Sequence, residues 1–322
     1  MRAIVVEETG GPDALQLREV PEPVPGPSDV LVDVEAIGLN FIDTYHRGGL
    51  YPMQTPFIPG LEGAGSIADV GKDVARFRVG DRVVWSSVIG TYAERHVVPA
   101  DKAIAVPEGA TTTQAAAVIL QGLTAQYLAT STYPVSDADV CLIHAGAGGV
   151  GLLLTQMVKA RGATAITTVG SEEKVKLSRE AGADRVINYV EDDFESEVVS
   201  LYGERPLTVV FDGVGNATFE AGLRLLRPRG MMVTFGNASG PVEAVPPLEL
   251  MRQGSLFMTR PTLFDYTRTR EELEERANEV LEGVATGDLR VHIGAEYALA
   301  DAAMAHRSME ARQTAGKVIL TP

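Results

Sequence analysis

Through the first hundred residues the apolar and β-branched positions come in short runs: Ala3–Val6, Leu15–Val20, Val30–Ile37, Ser66–Val70, Arg82–Trp85 and Arg95–Val98. Turn-forming clusters separate them, among them Pro21-Glu22-Pro23-Val24-Pro25-Gly26-Pro27 and Phe77-Arg78-Val79-Gly80-Asp81. Short strands punctuated by proline and glycine predict a small irregular β-barrel. One short helix, Phe41–Arg47, interrupts it. The character changes at Thr111. Thr111–Leu128 is alanine-rich and predicts a helix with Thr111 or Thr112 at its N-cap. Strand-length apolar runs then alternate with helical segments: Val140–His144, Ala165–Val169, Arg185–Tyr189, Thr208–Asp212, Met231–Phe235 and Ser255–Met258. Six such strands predict an α/β fold with a doubly wound parallel sheet. After Arg260-Pro261 the alternation stops. A long charged helix over Thr267–Thr286 is expected, then a strand near Arg290–Ile293, a helix from Ala300 and a closing strand, Lys317–Leu320. That tail most simply returns to complete the first domain. The expected division is therefore 1–115 with 262–322, and 116–261 between them.

The stretch with the plainest chemistry follows the first strand of the second domain. Val140–His144 runs into Gly146-Ala147-Gly148-Gly149-Val150-Gly151, and Leu152–Arg161 is helical. Strand, glycine turn and helix in that order are the context a dinucleotide fingerprint needs. Gly146 is expected to allow the tight turn, Gly148 to let backbone approach a pyrophosphate, and Gly151 to let the helix pack on the strand. The helix start offers N–H groups and partial positive charge to that pyrophosphate.

The end of the next strand, Thr164–Val169, points to one dinucleotide. An NAD-type site places Asp or Glu there to hold the ribose 2′-OH. This chain has Gly170 and Ser171, with Lys174 one helical turn on. Room and a cation suit the 2′-phosphate of NADPH. Glu172 and Glu173 count against this, unless they face solvent at the helix start, where the dipole favours them. An ordinary exposed helix lysine is the alternative for Lys174.

Composition changes the picture only by exclusion. The 322 residues favour two domains, and 45% hydrophobic with 22% charged residues excludes wholesale disorder. A net charge of −15 disfavours nucleic acid and anionic membrane as partners. The single cysteine, Cys141, lies inside an apolar strand, so it reads as a small core residue and the chain as cytoplasmic. No apolar run has the length of a membrane span, and no signal peptide is read before Arg2-Ala3-Ile4-Val5-Val6.

The layout of barrel, inserted dinucleotide-binding domain and returning tail resembles the medium-chain dehydrogenase/reductase superfamily. Gly38-Leu39-Asn40-Phe41-Ile42-Asp43, Pro59-Gly60-Leu61-Glu62-Gly63-Ala64-Gly65, Ala147-Gly148-Gly149-Val150-Gly151 and Val186-Ile187-Asn188-Tyr189 make it similar to the zinc-free quinone oxidoreductase, or ζ-crystallin-like, branch. The resemblance covers essentially the whole chain. It implies a Rossmann domain joined to an irregular GroES-like barrel, and a homodimer formed sheet to sheet; the apolar final strand Ser255–Met258 would supply such an edge. Zinc relatives in the superfamily carry a cysteine where this chain places Asn40 and a histidine where it places Leu61. Glu62 persists beside that gap and reads as a buried, hydrogen-bonded structural carboxylate. His46, His96, His144, His292 and His306 are scattered, and His144 reads as a satisfied strand-end residue. No metal is expected.

Hydride transfer needs position, a dry pocket and a few polar contacts from the protein. The resemblance places Asn40 and Thr124 at the nicotinamide end, and Arg312 near the 2′-phosphate. Phe235-Gly236 and Thr262-Leu263 end the last two strands, and similar segments in the family hold the carboxamide through backbone groups. Asn216 sits at another strand end, and Tyr189 ends the third strand, where its ring can lie beside the adenosine. Tyr45 and Tyr51 carry phenols that can donate to a carbonyl oxygen and rings that can stack on a flat substrate; family tyrosines at similar places line the quinone site. A turn, packing or rim role is the alternative for each. The favoured function is an NADPH-dependent quinone reductase. Reduction of the C=C bond of α,β-unsaturated carbonyls, and NADPH binding without turnover, stay open.

Overall fold

The computed structural model describes residues 1–322. In chain order the first elements are β1 (Arg2–Val5), β2 (Gln16–Glu19), β3 (Asp29–Leu39), α1 (Phe41–Gly48), β4 (Glu62–Val70), β5 (Arg82–Ser86), β6 (Arg95–Pro99), β7 (Ile104–Ala105) and α2 (Thr112–Tyr127). Then come β8 (Val140–Ile143), α3 (Gly149–Ala160), β9 (Thr164–Val169), α4 (Glu172–Glu180), β10 (Arg185–Asn188), α5 (Phe194–Tyr202) and β11 (Leu207–Asp212). The chain continues through α6 (Phe219–Leu225), β12 (Leu226–Thr234), α7 (Pro247–Arg252), β13 (Phe257–Thr259) and α8 (Leu263–Tyr266). It closes with α9 (Arg270–Thr286), β14 (Ile293–Ala298), α10 (Ala302–Glu310) and β15 (Lys317–Thr321).

Two compact units form: Met1–Leu123 with Thr267–Pro322, and Thr124–Tyr266. The divisions fall inside α2 and just before α9, a few residues later than the 115/116 and 261/262 boundaries read from the sequence. A single helix thus serves both units, which a change in composition does not mark.

In the first unit a seven-stranded sheet runs β14-β15-β3-β4-β5-β7, with β6 also on β3. The returning tail completes it, because β15 pairs antiparallel with β3 through Ile319 opposite Gly38. Trp85, Tyr92, Ile37, Leu39 and Leu320 are among the buried side chains of its core. In the second unit β10-β9-β8-β11-β12-β13 form one sheet, and every pair in it is parallel. Numbered within the unit, the order is 3-2-1-4-5-6, the doubly wound arrangement. No helix is long and apolar enough to cross a membrane.

Among the boundaries that differ from the sequence reading, three have local reasons. The long helix begins at Arg270 rather than Thr267 because Thr269 caps it: its Oγ1 accepts the Glu272 N–H at 3.2 Å and Glu272 accepts the Thr269 N–H at 3.2 Å. The expected strand near Arg290–Ile293 starts instead at Ile293 and pairs parallel with β15, α10 forming the crossover. The last Rossmann strand begins at Phe257 because Ser255 takes a left-handed φ of 56°.

Candidate active site

The glycine loop closes between β8 and α3. Ala145, with φ 54°, is the left-handed residue of the turn. Gly146 is required for space: a Cβ there would fall 2.5 Å from Cβ of Thr167. A Cβ on Gly151 would sit 2.2 Å from the Ala145 carbonyl oxygen, so only glycine lets the helix start approach the loop. Gly148 is the N-cap and no side chain caps α3. The first-turn amides of Gly149, Val150 and Gly151 are therefore left without a capping side chain, as an anion-binding helix start requires, and Ala147 before them is buried.

At the end of β9, Ser171 is the N-cap of α4, and its Oγ accepts the Lys174 N–H at 3.3 Å. Lys174 lies in the first turn, and Glu172 and Glu173 are exposed beside it. Tyr189 closes over Gly170. A Cβ on Gly170 would meet the Tyr189 hydroxyl at 2.5 Å, so that ring takes the space in which an NAD-type site holds its acidic side chain. Further along the sheet, Asp212 is fully buried. Its Oδ1 accepts the N–H groups of Val214 at 2.7 Å and Gly215 at 3.0 Å, and the Thr218 hydroxyl at 3.0 Å, which shapes the turn that carries exposed Asn216. Phe235 and Gly236 fold back on that turn: the Phe235 N–H donates to the Asp212 carbonyl at 2.8 Å. Arg260 donates to the Gly236 carbonyl at 2.9 Å, tying the end of β13 to the same segment. Thr262 follows, exposed, and Leu263 opens α8, buried. Arg312 belongs to the first unit, in the turn after α10, with φ 59°.

Asn40 ends β3 as the N-cap of α1 and is almost completely buried. Its amide is saturated. Nδ2 donates to Glu62 Oε1 at 2.5 Å and to the Gly38 carbonyl at 3.3 Å. Oδ1 accepts from Lys317 Nζ at 3.0 Å and Gln121 Nε2 at 3.1 Å. Glu62 also binds Lys317 directly and takes the Leu120 N–H at 2.8 Å. Both Glu62 and Lys317 are buried to within 1%. Gly38 is glycine to admit them: a Cβ would stand 2.3 Å from Glu62 Oε1. Within the first unit Glu62 and Lys317 form a locked ion pair, and Asn40 acts as its hydrogen-bond hub.

A zinc ion does not fit there. No three His, Cys, Asp or Glu side chains come together in ligating positions. Asn40 offers no free lone pair, Leu61 is a buried aliphatic, and an ammonium already supplies the positive charge. Cys141 is buried, and burial lifts its thiol to about 12, so it stays a neutral core group. His144 corrects the sequence reading in part. Nδ1 pairs with Thr168 Oγ1 at 2.8 Å, but Nε2 is buried without a partner, and burial keeps the ring neutral.

Tyr45, in α1, and Tyr51 meet edge to face with ring centroids 5.3 Å apart, and the His46 ring lies 6.1 Å from Tyr51. The Tyr51 N–H donates to the Tyr45 carbonyl at 3.1 Å, which holds the post-helix turn against α1. Both tyrosines are half-buried. Thr124 is buried in α2.

This geometry has known counterparts. Residues 149–283 match the zinc-binding dehydrogenase family and residues 26–108 the alcohol dehydrogenase GroES-like domain. The fold and those matches define a medium-chain dehydrogenase/reductase. Within that class the chain is 45% identical over 97% of its length, and 97% of the relative's, to a quinone oxidoreductase of Pseudomonas aeruginosa. It superposes with a TM-score of 0.97 and 42% identity on Escherichia coli quinone oxidoreductase complexed with NADPH, covering 100% of both chains. It is also 38% identical, over 99% of its length and 98% of the relative's, to a 2-haloacrylate reductase of Burkholderia. The chain belongs to the quinone oxidoreductase branch of the medium-chain dehydrogenase/reductase family.

Several residues of the site carry no signal in a single sequence. Lys317 reads as the head of a strand and Gln121 as one polar position in an apolar helix. Lys317 meets partners 255 and 277 positions away. A lysine at the start of an otherwise apolar strand was the one available hint.

Proposed function

We propose that the protein is an NADPH-dependent reductase that delivers hydride to quinones without a metal ion. Family membership and the NADPH-bound relative support the cofactor, and the space behind Gly170 filled by Tyr189 is the observation of this chain that carries it. NADPH, when bound, supplies the hydride; the chain supplies everything else. The α3 amides hold the pyrophosphate. Tyr189 over Gly170 leaves no space for the acidic side chain of an NAD-type site and lies beside the adenosine; Ser171 and Lys174 offer a hydroxyl and a positive charge to the 2′-phosphate, with Arg312 as a second cation by family resemblance. Asn216, Phe235, Gly236, Thr262, Leu263 and Thr124 are the second unit's residues assigned to the nicotinamide end, and Asn40 is assigned to it by family resemblance. Tyr45 and Tyr51 orient a flat carbonyl acceptor and donate to the oxygen on which negative charge develops.

Steady-state reduction of 1,2- and 1,4-quinones with NADPH tests the reading, and no turnover with any of them overturns it. Activity is expected to survive exhaustive chelation; stoichiometric zinc in the purified protein would contradict the metal-free part. A second reading, reduction of the C=C bond of an α,β-unsaturated carbonyl, is favoured by the likeness to the 2-haloacrylate reductase. The ratio of kcat/KM for a quinone and an enal separates the two.

The assembly proposed is a homodimer. β13 ends its sheet with its outer edge unpaired, and Phe257 and Met258 are 58% and 36% exposed along it. A monomeric mass by light scattering at micromolar concentration would refute it.

A further inference from the structure

Beneath α1 lies a second set of buried ionisable side chains that the hydride chemistry above does not use. Asp43, the third residue of α1, is fully buried. Its Oδ2 accepts the backbone N–H of Asn40 at 2.9 Å and the hydroxyl of Tyr92 at 3.0 Å, while Oδ1 has no partner. Tyr92 meets Nε2 of His306 at 3.1 Å, and His306 Nδ1 lies 3.0 Å from Arg47 Nη1. A guanidinium only donates, so Nδ1 accepts and the imidazole proton sits on Nε2. That N–H donates to the Tyr92 oxygen, which leaves the Tyr92 hydrogen for Asp43. Burial, and then the Arg47 charge, hold His306 at about 3, so the ring is neutral and the direction is fixed. Arg47 is in turn held by both oxygens of Glu310, at 2.6 and 3.2 Å. The chain of donors starts at this pair, in which Arg47 is buried and Glu310 reaches solvent, and ends on one oxygen of Asp43.

We propose that Asp43 is a positioning residue of the reductase: its carboxylate fixes the first turn of α1, and with it Asn40 and Tyr45. The inference rests on the placement of the substrate beside Tyr45. The groups facing Asp43 are Tyr92, Lys317 of β15, Glu62 of β4, and Arg47 and His306 behind Tyr92. Burial dominates and raises the carboxyl to about 7; the Asn40 N–H, Tyr92 and Lys317 pull it down, and Glu62 pushes it up. Ionised, Asp43 accepts both donors as a charge-assisted pair. Protonated, it must place a hydrogen on Oδ1, where no acceptor waits, and it holds the turn less firmly. The ionised form is thus the active one.

The test is the pH profile of kcat/KM for 1,4-benzoquinone, which does not itself titrate. Wild type is expected to lose about fivefold or more between pH 8.5 and pH 6, with a break near neutrality. Asp43→Asn should hold within about twofold over that range. Tyr92→Phe, a milder change, should move the break to higher pH, because a donor to the carboxylate is gone; a role in packing alone would leave it where it was. A wild-type profile without the break, an unchanged break in Asp43→Asn, or an unmoved one in Tyr92→Phe would overturn the proposal. Tyr45→Phe separates it from the substrate placement. If that variant is silent while Asp43→Asn still removes the break, the placement fails and Asp43 keeps its role. If Tyr45→Phe is impaired while the break persists in Asp43→Asn, Asp43 loses its role and the placement stands.

Discussion

The loop after β8 and the cluster beneath α1 are built from opposite materials. The loop is backbone and small residues: its work is done by amides and by the absence of Cβ atoms at Gly146 and Gly151, and no group in it titrates. The cluster is side chains, with Glu62, Lys317, Asp43, Arg47, His306 and Tyr92 all buried among β3, β4, α1, α10 and β15. A site for a pyrophosphate that is always charged gains nothing from protonation chemistry. A site that must hold a turn against a reacting carbonyl can use it, at a cost in stability. Binding of the pyrophosphate should accordingly be indifferent to pH near neutrality while turnover is not.

The largest expected effect strikes the cluster. Lys317→Met removes one partner of a pair with no water to replace it. Leaving a buried charge unpaired costs about 3–5 kcal/mol. The measurement is the midpoint of urea unfolding, and a loss of under 1 kcal/mol would show that the pair relaxes outward. Lys317→Met combined with Glu62→Leu should recover much of the loss, since an apolar pair of similar volume carries no desolvation penalty.

Next comes the pH dependence of stability. Asp43 is raised from 3.8 to about 7, so between those values the folded state holds a proton that the unfolded chain has released. Stability from this group is full below the unfolded value, falls as pH rises towards the folded one, and is flat above it. The span corresponds to several kcal/mol, at about 1.4 kcal/mol per unit. Asp43→Asn lacks that slope, so its melting temperature relative to wild type should rise from pH 5 to pH 8. A constant difference would mean that Asp43 is ionised throughout.

The two regions differ as sharply in how far the sequence revealed them. The glycine loop was legible because its determinants are contiguous and small residues at fixed spacing have few other uses; the left-handed φ of Ala145 beside it carried no signal. The doubly wound parallel sheet of the Rossmann unit followed from the alternation of elements; the order of its strands did not come from the sequence. Glu62 was legible as a buried structural carboxylate because it sits in a glycine-rich strand beside an empty ligand set. The chain from Asp43 through Tyr92 to His306 was not, because Tyr92 and His306 stand 49 and 263 positions from Asp43 and local periodicity says nothing about such pairings. Saturation of the Asn40 amide was hidden for the same reason.

On the cofactor side the expected effect is smaller and selective. Lys174→Ala should weaken NADPH by about 1.5–3 kcal/mol, the range for a hydrogen bond to a charged group, and leave NADH nearly untouched. Fluorescence titration with each nucleotide at pH 8.5 checks the selectivity, and titration of NADH, which has no 2′-phosphate monoester, at pH 6 and pH 8.5 checks the expected indifference of the pyrophosphate cradle to pH. Equal losses for both nucleotides would assign Lys174 to the α4 terminus alone.

The smallest effect belongs to Tyr45 and Tyr51. A preorganised donor to a developing oxyanion in a dry site is worth about 2.7–4 kcal/mol, but the two rings are half-buried and water competes for the same oxygen. Quinones accept hydride readily, so Tyr→Phe at either position should cost under about tenfold in kcat/KM, or roughly 1.4 kcal/mol. An enal needs more polarisation of its carbonyl and should lose more from the same change. The informative quantity is the ratio of the two losses in each Phe variant. A ratio above one places the phenol on the substrate oxygen. Two variants silent toward both substrates would make the edge-to-face pair a rim contact, and would leave Asp43 to act through Asn40 rather than through Tyr45.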